Sequence, residues 1–345
     1  MATSTEIYAT LTGANYSGTA NNFGNSTCLY SSKGFKVFTI TAYTFICVIG
    51  VILNSLAFWV YFCHVPNSNS IIVYLKNLVI ADLLLVLSLP IKILRDNEVN
   101  SKSSLNIIYC NFVACIFYLN IYSSILFLGY IAATRYLKIV KPLKTHAFQN
   151  LKTAKRLSLG TWGAILLLGI LFAFLINMEK QPVPNSQTCI KIGTQQKTIY
   201  TFAHIAGIIT FLCVLVGLCF FYFQISRQLH QSSSAQSLKK QTKAKNNILI
   251  LIAVFLVCFV PYHIIRLPYI LTQINVISDC FWQRILYYAK ESSLLLSTLN
   301  ACFDPVIYFL FCKAFRSKLG LDKKAKGLHL NEISVPVNAS HIVLD

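Results

Sequence analysis

The sequence predicts an all-α membrane protein, a bundle of seven transmembrane helices, and three observations carry that prediction. Of 345 residues, 55% are hydrophobic and only 12% are charged, a balance too apolar for an ordinary water-soluble domain. The apolar residues gather into runs near 37–63, 71–94, 107–134, 157–176, 199–225, 246–271 and 285–312, each long enough to cross a hydrocarbon core of about 30 Å. The Lys and Arg residues behind the formal net charge of +19 cluster in the segments that join these runs.

Residues 1–36 are polar and have no apolar core of the signal-peptide kind, so the first run is expected to act as an uncleaved targeting signal. Arg135 through Arg156, Arg227 through Lys245 and Lys313 through Lys326 carry most of the 30 Lys and Arg, and the first two stretches contain no Asp or Glu. Such segments belong in the cytoplasm, which places the N-terminus outside. The chain thus divides into an extracellular N-terminus (1–36), a seven-span domain (37–312) and a cytoplasmic tail (313–345). Asn15-Tyr16-Ser17 and Asn25-Ser26-Thr27 are glycosylation sequons on the outer side. The basic collar suits the lipid bilayer and its anionic inner leaflet, and nucleic acid need not be invoked. Lys239, Lys240, Lys243 and Lys245 belong to that collar and also face any cytoplasmic partner.

Of the 12 cysteines, Cys28, Cys110, Cys189 and Cys280 map outside, where disulfides form, and three pairings of the four are possible. No zinc-like, P-loop, HExxH or GxSxG pattern occurs, so an enzyme has no sequence support.

The sixth run ends on Phe255, Cys258, Phe259, Pro261, His263, Arg266, Pro268 and Tyr269. Arg266 lies roughly 27 Å from Ile248 along a helix, close to one bilayer face. His263, Arg266 and Tyr269 are three apart and project from one face, and Pro261 predicts a bend just below them. An ionisable side chain at that depth marks a functional site, the bland alternative being an arginine that snorkels to lipid phosphate. Lys92 in the second run, Lys290 in the seventh, and Lys191 and Lys197 in the loop between the fourth and fifth add cations at the same level. Together they describe a site for an anion, with a diphosphate bridging Arg266 and Lys290 as a natural occupant. Lys290 beside Glu291 equally reads as a local ion pair, and His263 as a core histidine bonded to a neighbour.

A second polar set, Asp82, Ser124, Asn300 and Asp304, lies deeper. Two carboxylates in an apolar bundle are costly unless paired, protonated or bound to a cation. A transporter's proton relay would also use buried acids, but no matching pair of broken helices appears in the two halves of the chain.

Several motifs in order resemble the rhodopsin-like class (class A) of G-protein-coupled receptors: Gly50 and Asn54; Leu78, Ala81 and Asp82; Cys110; Arg135-Tyr136; Trp162; Asn300; and Asp304-Pro305-Val306-Ile307-Tyr308. Within that class, residues 255–269 match the pattern F-x-x-C-F-x-P-[FY]-H-x-x-R-x-P-Y of the purinergic nucleotide receptors, in the Gi-coupled branch that senses adenosine diphosphate or uridine diphosphate sugars. Lys290, Glu291, Ser292 and Leu295 match that branch in the seventh run, and Tyr74-Leu75-Lys76-Asn77 in the second.

The resemblance implies a multi-pass plasma-membrane receptor for an extracellular nucleotide or nucleotide sugar, acting through an inhibitory (Gi) G protein. It implies disulfides Cys110–Cys189 and Cys28–Cys280, and a short amphipathic eighth helix over Lys313–Leu321 that includes Phe315. Tyr118 and Tyr122 match aromatic positions that stack on a base, although both also read as bundle packing. Asp82, Ser124, Asn300 and Asp304 are implied to hold a sodium ion as an allosteric modulator, with no other cofactor. Arg135, Tyr222 and Tyr308, with Phe259 and the hinge Pro261, are implied to form the switch that opens a G-protein groove. The same cations would equally suit a lysophospholipid or carboxylate head group in a related receptor, and a solute transporter is the alternative of another class. Departures from the pattern are Thr134 in place of the acid beside Arg135, Leu171 and Val214 at proline positions, and Tyr200 where the branch often carries a histidine.

Overall fold

The computed structural model of the chain is a bundle of seven long helices, and it describes residues 32–97, 104–140, 147–178, 194–230, 235–274, 276–312 and 315. Span one is Lys33–Cys63 and span two Ser70–Asn97. Span three is assembled from Ser104–Ile108, a π-turn at Tyr109–Val113 and Ala114–Val140. Span four is Leu151–Met178, entered through a short 3₁₀ turn at Ala147–Gln149, span five is Thr194–His230 and span six Ala235–Gln273. Span seven is Cys280–Thr298, continued after a break at Leu299 by Asn300–Phe311. Below, "upper" is the end at which span one begins and "lower" the end that carries Arg135.

Several helices overrun the apolar runs. Span six starts at Ala235, about ten residues before its apolar stretch, because Ala, Gln, Leu and Lys are good helix formers and the hydrogen-bond ladder simply continues. Helical spacing sets which face is inside. In span one Tyr43, Ile46, Gly50, Asn54, Ala57 and Tyr61 are buried at intervals of three and four, while Val37, Phe38, Phe45, Val48 and Ile52 point outward. Outward apolar side chains are what a helix facing lipid requires. Gly50 belongs to the inner stripe because a Cβ there would stand 2.6 Å from Val86 Cγ1, so only glycine lets spans one and two approach this closely. Span three packs against spans two, four, five, six and seven, and is the centre of the bundle.

Prolines in the spans free carbonyls that the neighbouring helices satisfy. Pro305 has no N–H, so the Ala301 carbonyl one turn earlier has no donor in its own helix. Asn54 Nδ2 supplies it, 2.7 Å away, and also donates to the Gly50 carbonyl at 3.0 Å. Pro90 similarly frees the Val86 carbonyl, and the Cys47 thiol donates to it at 3.6 Å. Pro261 lies inside an unbroken helix, and just before it along the chain the Cys258 carbonyl accepts from Ser297 Oγ of span seven at 2.9 Å. Each freed or neighbouring carbonyl thus becomes an interhelical tie.

Cys110 and Cys280 are both disulfide-bonded, and the other eight described cysteines are free. Cys189 and Cys28, the partners expected from the resemblance, lie outside the described residues, as do Asn15 and Asn25. Of the expected eighth helix only Phe315 is described. It is buried and stacks on Tyr61 with centroids 5.5 Å apart.

Replacing Asn54 by Ala should cost about 1–3 kcal/mol, because it strands the buried Ala301 carbonyl. A thermal melt of the purified protein in detergent should therefore show a lowered midpoint, and an unchanged midpoint would contradict this role.

Candidate functional site

The upper half of the bundle brings Arg266 of span six, Tyr118 of span three and His204 of span five together. Spacing in span six explains the placement, since Phe255, Phe259, Tyr262, His263, Arg266 and Tyr269 fall on the buried face at helical intervals. Arg266 is only 5% exposed. Its Nη2 donates to the Tyr118 hydroxyl and meets His204 Nε2 at 2.6 Å, and the guanidinium carbon lies 5.3 Å from the Tyr118 ring centroid. A guanidinium has no lone pair to offer, so His204 Nε2 must be the acceptor and the ring is neutral, with its proton on Nδ1. The Tyr118 and His204 rings are 5.9 Å apart and tilted.

Lys92 and Lys290 stand in a second cluster. Lys92, 1% exposed, pairs with Asp96 at 3.0 Å on its own helix and with Glu291 of span seven at 3.6 Å. Lys290 pairs with Glu291 at 2.5 Å, and Arg95 with Asp96 at 3.0 Å. Among the described residues three cations thus share two acids, and the group joins spans two and seven. Lys92 Nζ also lies 4.7 Å from the Tyr43 ring and Lys290 Nζ 5.3 Å from that of Tyr269. A buried charge stripped of its partner is strongly unfavourable, so each of these acids holds its cations in place.

The expected row of His263, Arg266 and Tyr269 is therefore divided between partners. Arg266 turns to spans three and five, and Tyr269 to Lys290. His263 stacks on Phe211 of span five at 4.0 Å and 7°, with Nδ1 2.8 Å from the Phe259 carbonyl, the surroundings of a core histidine. Tyr122 sits edge-on to His263 at 6.0 Å, and its hydroxyl end fills the space that Gly207 leaves by having no side chain. Lys191 and the side chains of Lys197, Lys239, Lys240 and Lys243 lie outside what the structure describes.

Deeper, Asp82 and Asp304 are fully buried. Asp82 accepts from Asn120 Nδ2 at 3.1 Å and from the Tyr308 hydroxyl at 2.7 Å, while Asp304 accepts from Asn300 Nδ2 at 2.8 Å. Ser124 Oγ, Asn120 Oδ1, Asn300 Oδ1 and Asp304 Oδ1 are buried with no donor facing them. An all-oxygen set of this kind, with two acids, fits a hard cation. The break at Leu299 adjoins this set, with Leu299 itself keeping right-handed helical dihedrals.

At the lower end Arg135 Nη2 donates to the Phe311 carbonyl at 2.8 Å, and its guanidinium lies over the Phe311 ring at 4.7 Å. Thr134, fully buried, donates to the Tyr130 carbonyl at 2.8 Å. Tyr308 packs on Tyr61 at 5.7 Å, the Tyr222 ring lies 5.6 Å from Lys245 Nζ, and the Phe255 and Phe259 rings are 5.3 Å apart.

The pattern of the 7 transmembrane receptor (rhodopsin family) matches residues 53–308. The chain belongs to that family. Among similar proteins, the purinoceptor numbered 14 of Bos taurus is 38% identical over 296 residues, which cover 84% of this chain and 84% of that one. The purinoceptor numbered 13 of Homo sapiens is 35% identical over 280 residues, 80% of this chain and 78% of that one. G-protein coupled receptor 87 of Mus musculus is 35% identical over 308 residues, with shares of 87% and 84%. The receptor is therefore a multi-pass, G-protein-coupled protein of the plasma membrane and not an enzyme.

Three parts of the receptor's interior escape a reading of the sequence. Nothing in the spacing of span five sets His204 apart from Tyr200, the residue the resemblance points to, whose side chain lies outside the described set. Asn120 carries no motif but faces Asp82. Asp96 and the second link of Glu291, to Lys92, emerge only when spans two and seven meet.

Because Arg135 is held by a backbone carbonyl and no acid precedes it, Thr134→Asp should favour the resting receptor by roughly 1 kcal/mol, about fivefold in the equilibrium between its states. Ligand-independent signalling in transfected cells should drop accordingly. Equal basal output from the two proteins would refute this.

Proposed function

We propose that the receptor binds an extracellular nucleotide or nucleotide sugar at its upper end and activates an inhibitory G protein. The observation that carries this reading is the contact between Arg266 and Tyr118. It joins a permanent cation for a phosphate to an aromatic face for a base on two adjacent helices. The Lys92, Arg95 and Lys290 group lies within the same upper half, and its cations, paired there with Asp96 and Glu291, are within reach of an anionic occupant that repartitions those pairs. The names of the two purinoceptor relatives agree with that chemistry. The distribution of Lys and Arg favours an extracellular N-terminus.

Lys290 reaches a ligand only by sharing or leaving Glu291. Arrival of a phosphate beside Lys290 thus repartitions an existing ion-pair group, a change of contacts that distinguishes two states of span seven. In the lower half, Asp82, Asn120, Ser124, Asn300 and Asp304 would hold a sodium ion, which would neutralise the two acids. A cation between the two acids would hold spans two and seven together there, so sodium is expected to oppose any agonist-driven change that parts them.

A panel of nucleoside diphosphates, nucleotide sugars and lysophospholipids, assayed for inhibition of cyclic AMP in cells expressing the chain, tests the proposal. Response to a nucleotide or nucleotide sugar is the expected result, and response to lysophospholipid alone would overturn it. Arg266→Ala should raise the half-maximal agonist concentration about ten- to hundredfold, the equivalent of losing a charge-assisted hydrogen bond, with surface expression intact. Unaltered potency would remove Arg266 from the site. Replacing external sodium by choline should strengthen agonist binding in the wild type and leave Asp82→Asn unaffected. Identical sodium dependence in both would exclude the cation from that set.

A further inference from the structure

We propose that His204 is a proton-linked gate on the Arg266 anion site: neutral His204 occupies a donor that a bidentate anion needs, and the anion displaces it as the imidazole takes up a proton. The inference deepens the nucleotide reading and rests on it only for the identity of the natural ligand.

The geometry comes from one nitrogen. Both hydrogen bonds described for Arg266 are made by Nη2, one to the Tyr118 hydroxyl and one to His204 Nε2. Nη2 carries two hydrogens, so both are committed. A guanidinium offers an anion two planar forks, Nη1 with Nη2 at its end and Nε with Nη2 along its side. Both forks include Nη2. A phosphate or carboxylate that docks bidentately must therefore replace Tyr118 or His204 on that nitrogen. Tyr118 can stay, because its hydroxyl both donates and accepts and can turn its own hydrogen to the anion. Replacement at the hydrogen that His204 holds is the case that creates a conflict, since a bare lone pair on Nε2 would then face an anionic oxygen.

Protonation removes the conflict. With a proton from bulk water on Nε2, His204 becomes a second donor to the same anion and the repulsive lone pair is gone. The surroundings hold the ring where this exchange must occur. His204 is 6% exposed, Tyr118 of span three flanks it, and among the described residues it meets the charge of Arg266 of span six. Tyr122 lies one turn below Tyr118, and His263 and Tyr262 follow down span six. His263 is bonded through Nδ1 to the Phe259 carbonyl and stacked on Phe211. Without an anion, a second positive charge against Arg266 is disfavoured, and with one bound it is favoured, so ligand and proton bind cooperatively.

The sign follows from linkage. A complex that holds one more proton than its separate partners gains affinity as pH falls, by at most about tenfold per pH unit. The test is titration calorimetry of the full-length receptor in lipid nanodiscs, repeated in buffers of different ionisation heat, with a uridine diphosphate sugar and, separately, inorganic pyrophosphate at millimolar concentration. The sugar nucleotide has no phosphate that titrates near neutrality, and the difference between wild type and His204→Asn cancels the titration of pyrophosphate itself. His204→Gln serves where the Asn variant does not fold, since either amide can accept from Arg266 without taking a proton.

The expected result is uptake of about one proton more by the wild type than by the amide variant, with wild-type affinity rising as pH falls and the variant's slope flattened. Binding with equal proton uptake in both proteins overturns the gate and leaves the nucleotide reading intact. Binding of pyrophosphate alone, with His204-dependent uptake, sustains the gate and removes the nucleotide. Failure of both probes to bind the folded receptor overturns the anion site and the gate with it.

Discussion

A polar atom in hydrocarbon has only the protein to turn to, and nearly every distinctive contact in this bundle answers that constraint. Pro305 and Pro90 each strip a carbonyl of its helical donor, and Asn54 and Cys47 on span one supply the replacements. The same need ties Trp162 of span four to Asn77 of span two at 2.8 Å, and Tyr130 of span three to Thr161 at 3.2 Å. Apolar side chains make the helices insert. These few polar ties select how the helices meet, because lipid tails compete with Leu and Val for apolar contact but cannot supply a donor.

Charges answer the constraint in three different ways. Lys92, Arg95 and Lys290 share Asp96 and Glu291, so their positive charge is largely balanced inside the protein. Asp82 and Asp304 gather amide and hydroxyl donors and leave several oxygens without one. The contacts described for Arg266 include two neutral side chains, Tyr118 and His204. A mobile ion can enter the last two arrangements, and a phosphate can repartition the first at Lys290.

The groups also lie along one continuous path. His263 is bonded to the Phe259 carbonyl, Phe259 packs on Phe255, and the neighbouring Cys258 carbonyl accepts from Ser297. About one turn further down span seven is Asn300, after a second turn Asp304, then Tyr308, which reaches Asp82. A ligand can act through such a path only by binding one arrangement of it more tightly than another. Lys290 exchanging Glu291 for a phosphate is a difference of that kind.

Seven spans and an arginine near the outer end of the sixth were legible in the sequence, because both depend on one-dimensional quantities: the length of an apolar run and the position of a charge within it. The pairing of Lys290 with Glu291 was also legible as one of two readings, since the residues are adjacent. Tyr118 stood out only through resemblance, and His263 as a core histidine apart from Arg266 was legible only as one of two readings. Two side chains on one helical face can still choose different neighbours, and that choice depends on Phe211 and His204, both from span five. Which residues could be buried was thus set by composition and helical period. Which donor met which acceptor was decided only in the folded bundle, because a hydrogen bond requires its two atoms within about 3 Å, and residues as distant in sequence as Asn54 and Ala301 come that close only when whole helices pack.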